Sequence, residues 1–191
     1  MTRRLLADEG GYSVIELLTV VAIMTTVLGA LTGVFVAGAN GELDSNRRFQ
    51  AQSEARLGLD RLRRDVHCAE SATPTGPTDS VTLNLPSYCK SGTGPITWCL
   101  ETPVSGRNAL FRIAGSTCSG GVRRVDYVVT PAGSHVFCFT PSSTLRRAVL
   151  KVSLGVNLEP AKRPYSTYRL RDAIAFRNTS LTGFPLNPAP C

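Results

Sequence analysis

The sequence lacks the residue patterns on which common enzyme active sites depend. It contains no G-x-S-x-G, H-E-x-x-H or P-loop motif, and its glycine-rich stretch at 115–121 has no lysine to contact a phosphate. Its two histidines, His67 and His135, and its cysteine spacings form no zinc-binding pattern, and its acidic residues are too dispersed for a calcium loop. We therefore expect a protein that is not an enzyme, with no catalytic residue, no metal site and no cofactor.

Aromatic residues are also scarce, at 7% of 191 residues, and they are not interleaved with the arginines, so no platform for stacking nucleic-acid bases is visible. Lys and Arg number 21 against 14 Asp and Glu, and the net charge of +7 favours acidic partners. Four arginine pairs stand out: Arg47-Arg48, Arg63-Arg64, Arg123-Arg124 and Arg146-Arg147. A DNA-binding surface is one interpretation, but we favour solvated faces and subunit contacts. For Arg47 and Arg48, just after the apolar segment, lipid phosphates and acidic residues on the helix of a neighbouring subunit are equally good partners.

Charged residues are almost missing between residues 14 and 39, where Glu16 is the single exception. A helix of about 25 residues rises about 38 Å, which exceeds the roughly 30 Å hydrocarbon core of a bilayer. Two interpretations are a secretory signal peptide cut after Ala39, at the A-x-A-like residues 37–39, and an ordinary membrane anchor. Neither explains a carboxylate within the membrane, where a charged side chain is costly and usually functional.

Gly11, Tyr12 and Glu16 support a third interpretation. The stretch at 11–18, GYSVIELL, resembles the class III signal of type IV pilins and pseudopilins, with Gly before the cut, an aromatic residue after it and Glu four positions later. Tyr in place of the usual Phe, and Val-Ile in place of the common Leu-Ile, are mild departures. The resemblance implies cleavage after Gly11 by a prepilin peptidase, N-methylation of the new amino terminus at Tyr12, and a role for Glu16 in filament assembly.

A carboxylate in an apolar environment is stable only when it is paired. The resemblance implies that Glu16 pairs with the α-amino group of Tyr12, either its own or that of a neighbouring subunit, about 6 Å away along a helix. Such a pair would set the axial register of subunits. Gly29 and Gly33 form a G-x-x-x-G pattern, which either allows close approach of another helix or reflects the general abundance of small residues in membrane helices.

After Gly41 the pattern becomes amphipathic. One apolar stripe recurs at helical spacing: Ala55, Leu59, Leu62, Val66 and Ala69. This predicts that the same helix continues through residues 40–72 and is stopped near Thr73-Pro74.

From residue 80 onward, short runs of β-forming residues alternate with Gly, Pro and Ser clusters. The predicted strands are Val81–Leu85, Ile96–Leu100, Ala109–Ala114, Val122–Val129, Val136–Thr140, Ala148–Leu154 and Tyr168–Phe176. Residues 130–133, TPAG, are expected to form a hairpin turn between two of them. The predicted fold class is α+β, with a long N-terminal α-helix packed on an antiparallel, β-rich, disulfide-bonded head at 73–191.

All six cysteines follow the apolar segment: Cys68, Cys89, Cys99, Cys118, Cys138 and Cys191. An even set beyond a membrane segment indicates disulfides in an oxidising compartment, while buried free thiols are the alternative. Six cysteines allow 15 connectivities. The pairing with the lowest sequence separation joins Cys89 to Cys99, Cys118 to Cys138 and Cys68 to Cys191.

The predicted organisation is a leader at 1–11, a transmembrane and assembly segment at 12–39, an amphipathic segment at 40–72 and the head at 73–191. The chain size and the Arg177-Asn178 pair after the last strand are similar to the larger, PilW-like or J-type minor pilins. The resemblance implies a structural subunit of a type IV pilus or a type II secretion-type filament. Its partners would be prepilin peptidase, other pilin or pseudopilin subunits and, before assembly, membrane lipid.

The expected location is the inner or cytoplasmic membrane, crossed once, with an extracytoplasmic head, followed by the pilus or pseudopilus. Three alternatives remain open at this stage. One is a membrane-tethered adhesion or binding module that does not polymerise, and another is a DNA-uptake pilus component. The third is a secreted domain that begins at Asn40.

Overall fold

The computed structural model describes residues 12–74, 76–102, 107–130, 133–142, 146–161 and 164–178. The predicted leader at 1–11, including Gly11, and the cysteine at 191 lie outside the described residues. The chain divides into two compact units between Asn46 and Arg47. One helix, α1, runs from Val14 to Cys68 and contributes residues to both units.

Among the described residues, the first unit consists of Tyr12, Ser13 and the N-terminal part of α1. Every side chain from Tyr12 to Leu43 is exposed. An 18-residue window of this helix reaches a mean hydropathy of 2.2, so the helix is long and apolar enough to cross a membrane. The transmembrane-helix prediction is confirmed at this level.

In the part of the second unit that the structure describes, the strands form one antiparallel sheet of nine, with a short 3-10 helix at Pro164–Ser166 before the last strand. The strands are β1 (Ser71–Thr73), β2 (Gly76–Thr78), β3 (Ser80–Leu85), β4 (Gly94–Glu101), β5 (Asn108–Ala114), β6 (Val122–Val129), β7 (Phe137–Thr140), β8 (Val149–Val156) and β9 (Tyr168–Ala175). Their spatial order is β1-β3-β4-β5-β6-β8-β7-β2, and β9 also pairs with β8.

The α+β fold class is confirmed, and each predicted strand is present within a few residues of its expected bounds. Strands β1 and β2 were not predicted, since three residues carry too little alternation to be recognised. The hairpin prediction at 130–133 was wrong, because β6 and β7 are not neighbours. Strand β8 lies between them, pairing Val156 with Val128 of β6 and Val152 with Phe137 of β7.

The core of the second unit lies between the sheet and the C-terminal part of α1. The predicted apolar stripe of the helix is confirmed: Ala55, Leu59, Leu62, Val66 and Ala69 are all buried. The facing strands contribute large buried side chains, including Trp98, Leu110 and Leu150. Burial of these apolar surfaces is the main favourable term that holds the helix on the sheet.

At Gly58 the helix lies directly against β6. A Cβ atom at this position would overlap Cγ2 of Val125 and lie 3.4 Å from the backbone oxygen of Arg124. A side chain larger than hydrogen would therefore push α1 away from β6.

The helix ends at Cys68, short of the predicted residue 72. The side-chain amide of Asn178 donates a hydrogen bond of 2.8 Å to the carbonyl oxygen of Cys68, one of the oxygens that has no partner within the helix. His67 contacts the carbonyl oxygen of Ala175 through Nδ1 at 3.0 Å. The end of the helix is thus tied both to the last residue of β9 and to the segment that follows it.

Two disulfides lie among the described residues. Cys68 is bonded to Cys89 with a Cα–Cα distance of 6.1 Å, which excludes the expected Cys68–Cys191 bond. Cys99 is bonded to Cys118 with a Cα–Cα distance of 6.2 Å. The first bond ties the helix end to the loop after β3, and the second ties β4 to the loop after its neighbour β5.

The other two predicted pairs were also wrong, because Cys89 and Cys99 belong to different bonds and Cys118 is not bonded to Cys138. Cys138 is disulfide-bonded as well, and Cys191 lies outside the described residues. Sequence separation failed as a guide because strand order, not chain distance, brings the sulfur atoms together.

Candidate functional site

The described chain begins with the predicted processing and assembly residues. The carbonyl oxygen of Ser13 accepts hydrogen bonds from the backbone amides of Glu16 at 3.0 Å and Leu17 at 3.1 Å. Tyr12 therefore lies just before the helix and is 82% exposed, and Glu16 is exposed in its first turn. A carboxylate in the first turn is favoured by the helix dipole. Gly11, on the other side of the predicted cleavage site, lies outside the described residues.

The threonine hydroxyls of the apolar segment are all satisfied within the helix. Each donates a hydrogen bond to a backbone carbonyl oxygen three or four residues earlier, for example Thr19 to Glu16 at 2.8 Å and Thr32 to Leu28 at 2.8 Å. Thr25 and Thr26 do the same. Hydroxyls bonded in this way cost little in a hydrocarbon environment.

Glu16 is the exception in this segment. Among the described residues its carboxylate has no hydrogen-bond or ion-pair partner. All other side chains between residues 14 and 39 are apolar, small, or satisfied threonines. The segment therefore presents one unpaired negative charge on an otherwise apolar surface.

Gly29 and Gly33 lie one turn apart in the same segment. Apart from the chain neighbours and the nearby backbone of the helix itself, no atom of the described residues lies within 4 Å of where a Cβ would stand on either residue. Positions four apart share one face of a helix, so the two glycines form a shallow, uncovered depression there. Close approach of another helix at this face remains a prediction.

A buried ionic cluster lies under the helix in the second unit. Asp65 is 1% exposed, and its carboxylate accepts hydrogen bonds from Nε1 of Trp98 at 2.9 Å and from Nε of Arg112 at 2.7 Å. A second bond, from Nη2 of Arg112 at 3.2 Å, makes the ion pair bidentate. Asp65, Trp98 and Arg112 were not predicted as site residues. The one sequence feature that pointed to this cluster was the position of Asp65, three residues after Leu62 and therefore beside the buried apolar stripe of the helix.

The outer edge of the sheet is tied to the helix by a second set of polar contacts. Arg63 donates a hydrogen bond of 2.7 Å to Asp172 of β9 and also contacts Asp60 at 3.0 Å. The hydrogen bond to Asp172 raises the pKa of the Arg63 guanidinium above its ordinary value. Arg56 donates to the hydroxyl of Tyr168 at 2.9 Å. Arg56 and Arg63 therefore have partners within the second unit.

The second disulfide and the neighbouring carboxylate of Glu101 bring three potential metal ligands together. Atoms of Cys99, Glu101 and Cys118 lie within 4.8 Å of one another. Because the two sulfurs are bonded to each other, neither is a thiolate, which is the form that coordinates a metal. This set is a disulfide beside a carboxylate.

No family model, no curated protein and no solved structure matches this chain. The features that bear on function are therefore the chain's own: the uncovered apolar helix, its single carboxylate and the disulfide-bonded head.

Proposed function

We propose that this protein is a prepilin-like structural subunit, a minor pilin or pseudopilin, of a type IV pilus or type II secretion-type filament. The observation that carries the proposal is the unpaired carboxylate of Glu16 at the start of an exposed apolar helix. An apolar surface of this length requires a cover of lipid or of other helices. A charge placed in that surface requires a partner from the covering molecule.

The proposed mechanism uses the same helix twice. Before assembly, the segment at 12–39 crosses the inner or cytoplasmic membrane once, with its apolar side chains in lipid. During assembly, the helices of neighbouring subunits replace the lipid, and the N-terminal amine of Tyr12 pairs with a neighbour's Glu16. Because a misaligned subunit would leave both charges unpaired in an apolar core, the pair selects one axial register.

Cleavage of the leader would supply the positively charged partner of Glu16. Prepilin peptidase would cut after Gly11 and release a new amine at Tyr12, and N-methylation of that amine would retain its positive charge. The head is proposed to lie on the extracytoplasmic side. Its disulfides support this, because such bonds persist in oxidising compartments. The work of the protein would be assembly rather than catalysis.

The proposal is tested by the N-terminal mass of the protein purified from its own membranes. The expected peptide begins at Tyr12 and carries an added methyl group. A matched pair of variants locates the cut: Gly11→Val should leave the leader attached, whereas Gly10→Val should still be processed. An intact leader in the native protein would instead indicate a plain membrane-tethered module, and an N-terminus at Asn40 would indicate a secreted domain. Either result overturns the proposal.

A further inference from the structure

A strongly basic pocket of about 440 Å³ opens in the second unit, away from the apolar segment. Helix α1, the loop between β3 and β4, and strands β5 and β6 all contribute to it. Its lining consists of Arg61, Arg64, Asp65, Lys90, Ser91, Arg112 and Arg124. Five cationic side chains therefore surround one space with a single carboxylate.

The negative charge of Asp65 does not neutralise the positive charges that line the pocket. The carboxylate of Asp65 already accepts three hydrogen bonds, two from Arg112 and one from the indole of Trp98. Arg112 also donates a hydrogen bond of 2.7 Å from Nη2 to the carbonyl oxygen of Ser91. The remaining four cations have no hydrogen-bond or ion-pair partner among the described residues: Arg61, Arg64, Lys90 and Arg124.

Arg124, one of the lining residues, has an unsatisfied donor. Its Nε is buried and is the one buried side-chain nitrogen or oxygen among the described residues with no hydrogen-bond partner. Burial, and then the positive charges of Arg61 and Arg112, lower the pKa of the Arg124 guanidinium below its ordinary value. Buried donors in folded proteins are almost always satisfied, so the guanidinium of Arg124, which lines the pocket, is short of acceptors among the described residues.

We propose that this pocket binds a phosphate or phosphomonoester group through Arg61, Arg64, Lys90 and Arg124. A monoester or free phosphate carries close to two negative charges and presents three or four acceptor oxygens, which suits a pocket lined by several cationic donors. A carboxylate or a phosphodiester offers one charge and two such oxygens. Guanidinium groups match phosphate geometry, and the lysine adds a compact charge. This site is independent of the proposed role in filament assembly.

The test uses the full chain in detergent micelles at constant ionic strength, titrated with inorganic phosphate by calorimetry. Trp98, the single tryptophan, contacts Asp65 at the pocket wall, so its fluorescence gives a second readout. We expect saturable binding that is weakened about tenfold or more by Arg124→Gln and by Arg64→Gln, since each removes a charge-assisted hydrogen bond. Arg64→Gln alters an exposed side chain, so it keeps the test valid if Arg124→Gln fails to fold.

Arg169→Gln is the matched control, because it removes one exposed positive charge on β9, outside the pocket. It should leave the affinity for phosphate unchanged within about twofold. Equal losses in the pocket and control variants would show nonspecific charge attraction and overturn the proposal. So would the absence of saturable binding to any phosphomonoester.

The source of the phosphate group is distinguished with mixed micelles. If micelles containing phosphatidic acid bind and inorganic phosphate does not, the ligand is a lipid headgroup that carries a phosphomonoester. If inorganic phosphate binds, the ligand is a free phosphate or a soluble monoester. Equal binding of micelles containing phosphatidylglycerol, a phosphodiester, would contradict the assigned chemistry.

Discussion

The carboxylate of Asp65 and the guanidinium of Arg112 form a bidentate ion pair beneath the helix, with N–O distances of 2.7 and 3.2 Å. Asp65 lies in the last turn of α1, where the helix dipole disfavours a negative charge. Its burial at 1% exposure is therefore tolerable only because Arg112 neutralises it. This pair joins the helix to β5, and the free energy of unfolding should depend on it.

Asp65→Asn is expected to lower the free energy of unfolding by about 3–5 kcal/mol, because it leaves the largely buried charge of Arg112 without a counter-ion. The measurement is chemical denaturation of the full chain in detergent micelles. Asp60→Asn is the matched control on the same helix, since Asp60 makes an exposed ion pair with Arg63 and should matter little. A similar loss in both variants would contradict the structural role assigned to Asp65.

Gly58→Ala should destabilise the second unit. The added methyl group would overlap Val125, an overpacking that costs about 1–3 kcal/mol, while the better helix propensity of alanine returns about 1 kcal/mol. The net expectation is a loss of up to about 2 kcal/mol, measured by the same denaturation. Gly41→Ala has no atom near its added methyl group and should not destabilise. If Gly58→Ala were equally harmless, α1 and β6 would not be in close contact.

Nonreducing peptide mapping by mass spectrometry should find Cys68 linked to Cys89 and Cys99 linked to Cys118. Removing either pair with two serines should cost about 2–4 kcal/mol of stability. Because the pairs are separated by 21 and 19 residues, the chain-entropy model predicts nearly equal losses, so each double variant serves as a control for the other. A peptide linking Cys89 to Cys99 would contradict the strand arrangement.

Glu16→Ala should leave membrane insertion and leader cleavage intact but impair incorporation into filaments. The physical reason is that the variant removes the proposed partner of a neighbour's N-terminal amine without reducing the apolar surface. Incorporation is measured by the amount of protein in sheared or purified filaments relative to the membrane pool. Glu42→Ala, which removes an exposed carboxylate beyond the apolar segment, is the control. Normal incorporation of Glu16→Ala would rule out the charge-pairing account.

The helix and most of the strands could be predicted from the sequence, because each shows a repeat of apolar residues over a few consecutive positions. The apolar stripe through Leu59 and Leu62 repeats at the helical period, and the alternation at Val81 and Leu83 repeats at the strand period. The uncovered segment with Glu16 was equally visible, since hydropathy is a property of consecutive residues. These features require no knowledge of which elements are neighbours.

The strand neighbours, the disulfides and the ion pairs could not be predicted, because they depend on how distant parts of the chain pack together. Strand β8 lies between β6 and β7 in the sheet. The turn-forming residues at 130–133 gave no indication of this order. The same arrangement brings Cys68 to Cys89, Asp65 to Arg112, and Arg64 to Arg124 across one pocket. Contacts between residues distant in the chain follow from which apolar surfaces bury each other, and that choice is made by the packed core as a whole rather than by any local run of residues.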